Sequence, residues 1–179
     1  MKSKYASSQI ALHWLVFVLV VVVYVTIEVR DYVERGLGLR ALLLAVHYSC
    51  GATILALMLA RLLLRLKYTE PVIVPAPPHW QVWLAKLAHM LIYSLFIILP
   101  ALGLISRYCR GADWKLFGIV MPTASPGDGE IAGMLIDWHR TLAPLGYWLI
   151  GLHAAAALLH HYVIRDNTLL RMMPSKRQK

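Results

Sequence analysis

Four long apolar stretches alternate with short polar segments along the chain, and none of them contains Asp, Glu, Lys or Arg. They run from Ile10 to Ile27, Ala41 to Ala60, Leu87 to Ser106 and Thr141 to Ile164. A helix needs about 20 predominantly apolar residues to cross a bilayer. The pattern therefore predicts an all-α integral membrane protein whose four helices form a bundle. The expected spans are approximately 10–29, 41–65, 82–106 and 138–164.

Composition agrees with this class of protein. Of the 179 residues, 59% are hydrophobic and only 15% are charged, against about 25% charged residues in soluble domains. No internal repeat is visible, and we expect a single transmembrane domain over residues 1–179. The longest connection, 107–137, exceeds ordinary loop lengths and indicates a functional cap.

The net charge of +9 raises the question of nucleic acid, but its distribution favours a lipid bilayer. If the amino terminus is cytoplasmic, the inside segments hold eleven basic residues and two acidic ones, whereas the outside loops are balanced. The inside basic residues are Lys2, Lys4, Arg61, Arg65, Lys67, Lys86, Arg165, Arg171, Lys176, Arg177 and Lys179. This is the positive-inside bias, so we expect both termini in the cytoplasm and no nucleic-acid partner.

Histidine is the ionisable residue that does occur in the apolar stretches. His13, His47, His89, His153, His160 and His161 lie within them, and His139 lies just before the fourth. A polar ring inside a membrane is unfavourable unless it is paired, so such residues are functional by default. Imidazoles that face the interior from several helices are typical ligands of haem iron. Zinc is the less favoured metal, because no cysteine or carboxylate accompanies these histidines.

Spacing divides the histidines by depth. His139 and His153 are fourteen residues apart, which puts them near one face of a helix and about 21 Å apart along it. One helix would thus offer a ligand to each of two stacked haems. His47 matches His139 in depth as the second ligand of an outer haem. His13 requires a partner low on the fourth helix, where residue depth favours His153 over His160 without excluding either.

Other residues near these positions have more than one interpretation. Gly146 and Gly51 would let a flat porphyrin pass close to the backbone. Arg61 shares the face of His47 and is either a partner of a haem propionate or a plain membrane-surface anchor. His89 is a packed polar residue, a quinone contact or a hydrogen-bond partner of a haem edge. Cys50 and Cys109 are expected as free thiols, and the absence of a CxxCH motif excludes covalent c-type haem attachment.

Several of these residues, read in context, resemble the bacterial cytochrome b-561 family. The resemblance spans the whole chain and is most specific in the segment from Gly151 to His161. The matching segments are Tyr5 with Ala11-Leu12-His13-Trp14, His47-Tyr48-Ser49-Cys50-Gly51 to Ala60-Arg61, Ala88-His89-Met90-Leu91-Ile92-Tyr93, Leu99-Pro100-Ala101-Leu102-Gly103, Trp138-His139, and Gly151-Leu152-His153 to His160-His161.

The resemblance implies a four-helix, di-haem b protein of the bacterial inner membrane. By motif it implies the axial ligands His13, His47, His139 and His153, and it leaves His160 free to line a quinone site. The small stand-alone type of this family is associated with superoxide oxidation and electron transfer to ubiquinone. The resemblance thus implies an oxidoreductase with two haem b cofactors, superoxide as electron donor and ubiquinone as acceptor.

Support for superoxide from the residues themselves is limited to positive charge that would steer the anion to the outer haem. The residues that would form such a patch are Arg40, Arg107, Arg110, Lys115 and Arg140. One alternative is a cytochrome b anchor subunit that relays electrons between a dehydrogenase or hydrogenase and the quinone pool. Another is a transporter or assembly factor without enzymatic activity. The oligomeric state stays open between a monomer and a homodimer.

Overall fold

The computed structural model describes residues 4–174 and is almost entirely helical. Its four long helices are α1 (Ser7–Tyr32), α2 (Gly38–Lys67), α3 (His79–Cys109) and α4 (Gly129–Leu159). A π-helical turn (His160–Ile164) extends α4, and a short 3-10 turn (Leu170–Met172) follows. All four helices are long and apolar enough to cross a membrane, which confirms the predicted fold class. Lys2, Lys176, Arg177 and Lys179 of the charge count lie outside the described residues.

The fourth helix begins at Gly129, nine residues before the predicted start of the span. Its first turn is fixed by Asp128, whose carboxylate accepts hydrogen bonds from the backbone N–H groups of Glu130 and Ile131. A side-chain cap of this kind satisfies amides that the helix itself leaves unpaired. The connection before α4 comprises residues 110–128 and is thus shorter than the predicted 107–137. It contains an antiparallel hairpin of β1 (Lys115–Leu116) and β2 (Ile119–Val120).

The bundle is held together by a small apolar core. α1 packs on α2, α2 on α3, and α3 on α4. Buried apolar side chains from three helices meet between them: Val16, Val20, Ile54, Met58 and Phe96. Most other large apolar side chains lie exposed on the outside of the helices. An apolar exterior around a modest core is the arrangement expected in lipid, where outward-facing apolar residues contact acyl chains.

The bundle has two opposite ends, which we call the loop end and the termini end. The loop end holds residues 33–37 and 110–128. Trp114 is buried there, and its indole N–H donates to the Pro122 carbonyl. The termini end holds residues 4–6, 68–78 and 165–174. At the termini end, Asn167 bonds to the backbone of Val72 and Val74, and the Arg171 guanidinium donates to the Pro71 carbonyl. The last described segment thereby closes this end of the bundle.

Candidate functional site

At the loop end, His47 of α2 and His139 of α4 face each other. Their ring centroids are 6.2 Å apart and their planes are inclined by 74°. The Nδ1–H of His47 donates to the Val23 carbonyl at 3.2 Å, and that of His139 donates to the Leu99 carbonyl at 2.8 Å. A carbonyl only accepts, so the proton of each neutral ring lies on Nδ1. Both rings therefore have Nε2 free for a metal.

At the termini end, His13 of α1 and His153 of α4 form a second pair. Their ring centroids are also 6.2 Å apart, with planes inclined by 59°. Arg61 lies 3.1 Å from His13, Nη1 to Nδ1. Because a guanidinium only donates, His13 accepts at Nδ1 in this arrangement and carries its proton on Nε2. Binding of a metal at His13 Nε2 therefore requires Arg61 to turn away toward another acceptor, a role that a haem propionate would fill.

A third imidazole, that of His89, lies beside the second pair. Its ring centroid is 5.4 Å from that of His153, and its Nδ1–H donates to the Ala85 carbonyl at 2.7 Å. The sequence left the role of His89 open. The structure brings it together with His13 and His153, with the same free Nε2 as the histidines at the loop end.

The geometry of both pairs fits a haem iron between them. An iron held by two imidazole nitrogens places the ring centroids about 6 Å apart, because each metal–nitrogen bond is about 2 Å long and each centroid lies about 1 Å behind its nitrogen. Gly51, one turn from His47, adjoins open space, since an added Cβ would meet nothing within 4 Å. Across residues 4–174, no three His, Cys, Asp or Glu side chains cluster as ligands of a metal ion.

Gly146 was expected to adjoin a porphyrin, but the structure places a tyrosine side chain beside it. It is packed against Tyr24, whose Cζ lies 3.1 Å from where a Cβ would be. The Tyr24 hydroxyl donates to the Ala143 carbonyl at 2.8 Å, and the Tyr147 hydroxyl donates to Glu28 at 2.7 Å. The two tyrosine rings lie 4.3 Å apart between centroids. The phenol of Tyr24 therefore occupies the space that Gly146 opens.

A cavity of about 250 Å³ opens at the termini end beside the second histidine pair. His89 and His160 both line it, as does Arg61. Among residues 4–174, three side-chain atoms of its wall are buried without a hydrogen-bond partner: Gln81 Oε1, Thr168 Oγ1 and Arg171 Nε. Arg171 is only 7% exposed. Buried polar groups are normally satisfied, so an unpartnered acceptor and an unpartnered donor in one wall indicate a polar ligand.

His160 is held toward this cavity by Asp166, a pairing that the sequence analysis missed. His160 Nδ1 lies 2.5 Å from Asp166 Oδ2. The contact depends on the π-helical turn and on Arg165, whose φ of 60° reverses the chain direction. Burial raises the pKa of the Asp166 carboxyl, but hydrogen bonds from His160 and from the Thr168 backbone outweigh it and the pKa is lowered. The carboxylate is therefore the stable form beside His160.

The basic residues proposed to steer an anion are not equivalent in the structure. Arg40 is bound to carbonyls of Arg30 and Val33. Arg140 is exposed and lies 4.0 Å from Asp137. Arg107 stacks on Tyr48, with 5.4 Å from its Cζ to the ring centroid, and the Tyr48 ring is 6.1 Å from that of His47. Arg107 is thus connected to the loop-end pair through one aromatic ring.

Long apolar helices with imidazoles paired across their interior define a membrane-bound haem protein. Comparison with known proteins agrees: residues 4–175 match the family described as prokaryotic cytochrome b561. The chain belongs to this family, so it is a membrane cytochrome with haem b and a role in electron transport. The family resemblance inferred from the sequence motifs is thereby confirmed.

Two curated relatives cover almost the whole chain. One is the probable superoxide oxidase CybB of Yersinia pestis, 48% identical over 177 residues, with 99% of each chain covered. Another is the cytochrome b561 homolog 1 of Escherichia coli (strain K12), 39% identical over 176 residues, with 98% of this chain and 99% of the relative covered. Both matches span the four helices and both ends of the bundle.

Proposed function

We propose that this cytochrome oxidises superoxide at the loop end and reduces ubiquinone at the termini end. Two superoxide anions, one ubiquinone and two protons give two dioxygen molecules and one ubiquinol. The observation that carries the proposal is the presence of two histidine pairs with equal centroid spacing at opposite ends of the bundle. When bound, two haems supply one-electron transfer across the bundle. His13 and His153 would hold one, and His47 and His139 the other.

The proposed orientation in the membrane is supported by the charge distribution. The net positive charge of the segments toward the termini end favours the cytoplasmic side for it under the positive-inside rule. The loop end then faces the outside of the bacterial inner membrane, where superoxide would approach. This orientation would place oxidation and quinone reduction on opposite sides of the bilayer.

At the loop end, Arg107 is the best-supported residue for attracting superoxide. Its Nε is buried and has no hydrogen-bond partner within residues 4–174, and its guanidinium lies over the Tyr48 ring next to His47. A fixed cation next to the site concentrates an anionic substrate and accelerates its association. Arg140, beside His139 in sequence, adds exposed positive charge.

At the termini end, the cavity supplies the polar groups that a quinone head requires. Arg171 Nε–H is free to donate to a quinone oxygen, and Gln81 Oε1 is free to accept from a quinol hydroxyl. His160 would deliver one of the two protons, and Asp166 would stabilise the positive imidazole before that transfer. A positioned histidine in contact with a carboxylate is a common proton donor in enzymes.

The decisive experiment mixes superoxide with the purified, oxidised protein and follows haem reduction by stopped-flow absorbance. We expect rapid reduction that superoxide dismutase abolishes, and reoxidation when ubiquinone is added. The variant His139→Ala should lose the fast phase, whereas His79→Ala, at the exposed first residue of α3, should retain it. Slow reduction of the wild-type protein, together with stable co-purification of a larger subunit, would favour the anchor-subunit function instead.

A further inference from the structure

We propose that a long-tailed quinone reaches the termini cavity sideways from the bilayer, through a groove between α2 and α3 that binds its isoprenoid tail. This inference rests on the proposed quinone reduction and adds to it a route and a second binding surface. We refer to this surface as the α2–α3 groove.

The α2–α3 groove has apolar walls from both helices. Leu62 and Leu66 of α2 form one wall, and Met90, Ile97 and Ile98 of α3 form the other. Along α3 the lining extends over the thirteen residues from Lys86 to Ile98, a rise of about 18 Å along the helix. Met90 and Ile98 are 57% and 47% exposed, so the groove opens to the lipid rather than into the protein core.

The groove and the termini cavity share part of their lining. The shared residues are Arg65, Glu70, Lys86 and Tyr93. Arg65 and Glu70 form a salt bridge of 2.8 Å, and the Arg65 Cζ lies 5.9 Å from the centroid of the Tyr93 ring. The junction is therefore polar, while the groove beyond it is apolar. The order of polarity matches that of a quinone, with a polar head and an apolar tail.

An entrance from the lipid is required by the chemistry of the substrate. Transfer of a long hydrocarbon tail into water is unfavourable in proportion to its apolar area, so the quinone has to enter while its tail stays in hydrocarbon. Helices α2 and α3 pack less extensively than α1 on α2 or α3 on α4. The α2–α3 groove adjoins the cavity at the four residues that line both, and its apolar walls would replace lipid contacts along the tail.

The test narrows the groove with tryptophan and compares quinones of different tail length. In proteoliposomes, Met90→Trp should raise the KM for a ubiquinone with a long isoprenoid tail about tenfold, the ratio that corresponds to 1.4 kcal/mol. For an analogue with one isoprenoid unit, the KM should change less than about twofold. Haem absorbance and the rate of haem reduction by superoxide should stay as in the wild type. Ile98→Trp provides a second variant should Met90→Trp fold poorly.

The matched control is Leu91→Trp, which adds the same bulk one residue along at a position 42% exposed. Leu91 lines neither the groove nor the cavity, so its KM for both quinones should stay unchanged. Equal KM values for the long-tailed quinone in Met90→Trp, Ile98→Trp and Leu91→Trp would overturn the proposed route. If Met90→Trp and Ile98→Trp raised the KM equally for the long-tailed and the short-tailed quinone, the groove would not be the binding surface of the tail. If the wild type reduced neither quinone, the proposed function itself would fail.

Discussion

Three of the histidine side chains are held by hydrogen bonds to main-chain carbonyls of helices. His47 is fixed by α1, His139 by α3, and His89 by its own helix. A carbonyl partner selects the tautomer with Nε2 free and limits rotation of the ring, which prepares it as a ligand. His13 differs because its Nδ1 faces Arg61 instead. At the termini end, either His13 or His89 could therefore be the second iron ligand beside His153.

We expect His13→Ala to lose one of the two proposed haems and His89→Ala to keep both. His13 lies on a separate helix, at the same centroid distance from His153 as separates the pair at the loop end. His89 lies closer, at 5.4 Å, which leaves less room for an iron between the rings. The measurement is haem content by pyridine haemochrome relative to protein mass. The reverse result would make His89 the ligand.

Helical periodicity in the sequence predicted some neighbours of the histidines and not others. Depth along the helices predicted the partners His47 and His139, because helical periodicity fixes both position and face. It left His153 and His160 open for His13, and the structure brings His153 to it. It could not predict Asp166 as the partner of His160, because the two are joined across a π-helical turn and a left-handed residue that no periodicity describes.

At the scale of elements, the approach of α1 to α4 depends on Gly146. The absence of a side chain at this residue admits the Tyr24 ring and allows its hydroxyl to reach the Ala143 carbonyl one turn away. In a packed interior an added methyl group forces such a ring to move. This contact couples the two helices midway between the histidine pairs.

Gly146→Ala should therefore lower the free energy of unfolding by about 1–3 kcal/mol, as overpacking usually does. Tyr24→Phe in the same chain should recover part of the loss, since it removes the hydroxyl that the new methyl group meets. Thermal denaturation in detergent, followed by circular dichroism, measures both. Gly133→Ala is the control, because an added Cβ there meets nothing within 4 Å. An equal loss in the control would point to a general effect of glycine replacement in α4.

The stability of the fold should depend on pH through Asp166, which follows the π-helical turn. Because its folded pKa lies below the ordinary value, the carboxylate stabilises the folded state at neutral pH, and that contribution disappears as the pH falls through the lowered pKa. Asp166→Asn should lower the free energy of unfolding by about 1.5–3 kcal/mol at pH 7, the range for hydrogen bonds of charged groups.

The difference between wild type and Asp166→Asn should shrink when denaturation is repeated near pH 3. Asp128→Asn is the matched control at the loop end, because asparagine caps a helix as well as aspartate and Asp128 has only backbone partners. A difference for Asp166→Asn that stays constant between pH 7 and pH 3 would contradict the assigned role of the carboxylate.

Hydropathy predicted the four helices well because a membrane requires length and apolar composition above all. It missed the first turns of α4, since residues 129–137 include glycine and charged side chains that dilute the apolar signal. Their helical state is set by the Asp128 cap. The hairpin was also missed, because two-residue strands leave no alternation to detect, and Phe117 between them is held by the Ser49 hydroxyl.

At the scale of the whole molecule, both ends of the described chain lie at the termini end. Among residues 4–174, seven basic and two acidic side chains belong to the segments toward this end, against seven of each toward the loop end. Positive charge is retained on the cytoplasmic side during insertion. A green fluorescent protein fused after Lys179 should therefore fluoresce, and alkaline phosphatase at the same position should be inactive. Phosphatase inserted at Gly118, in the hairpin of the loop end, should be active. The opposite pattern would invert the proposed sidedness.

The closure of the termini end has a consequence for how the proposed activities are distributed along the chain. All four proposed haem ligands precede residue 154, whereas Thr168 and Arg171, which line the cavity, are synthesised later. Under the proposed function, haem binding and quinone reduction therefore depend on different parts of the chain. A chain truncated after Ile164 is expected to bind haem but not to reduce quinone.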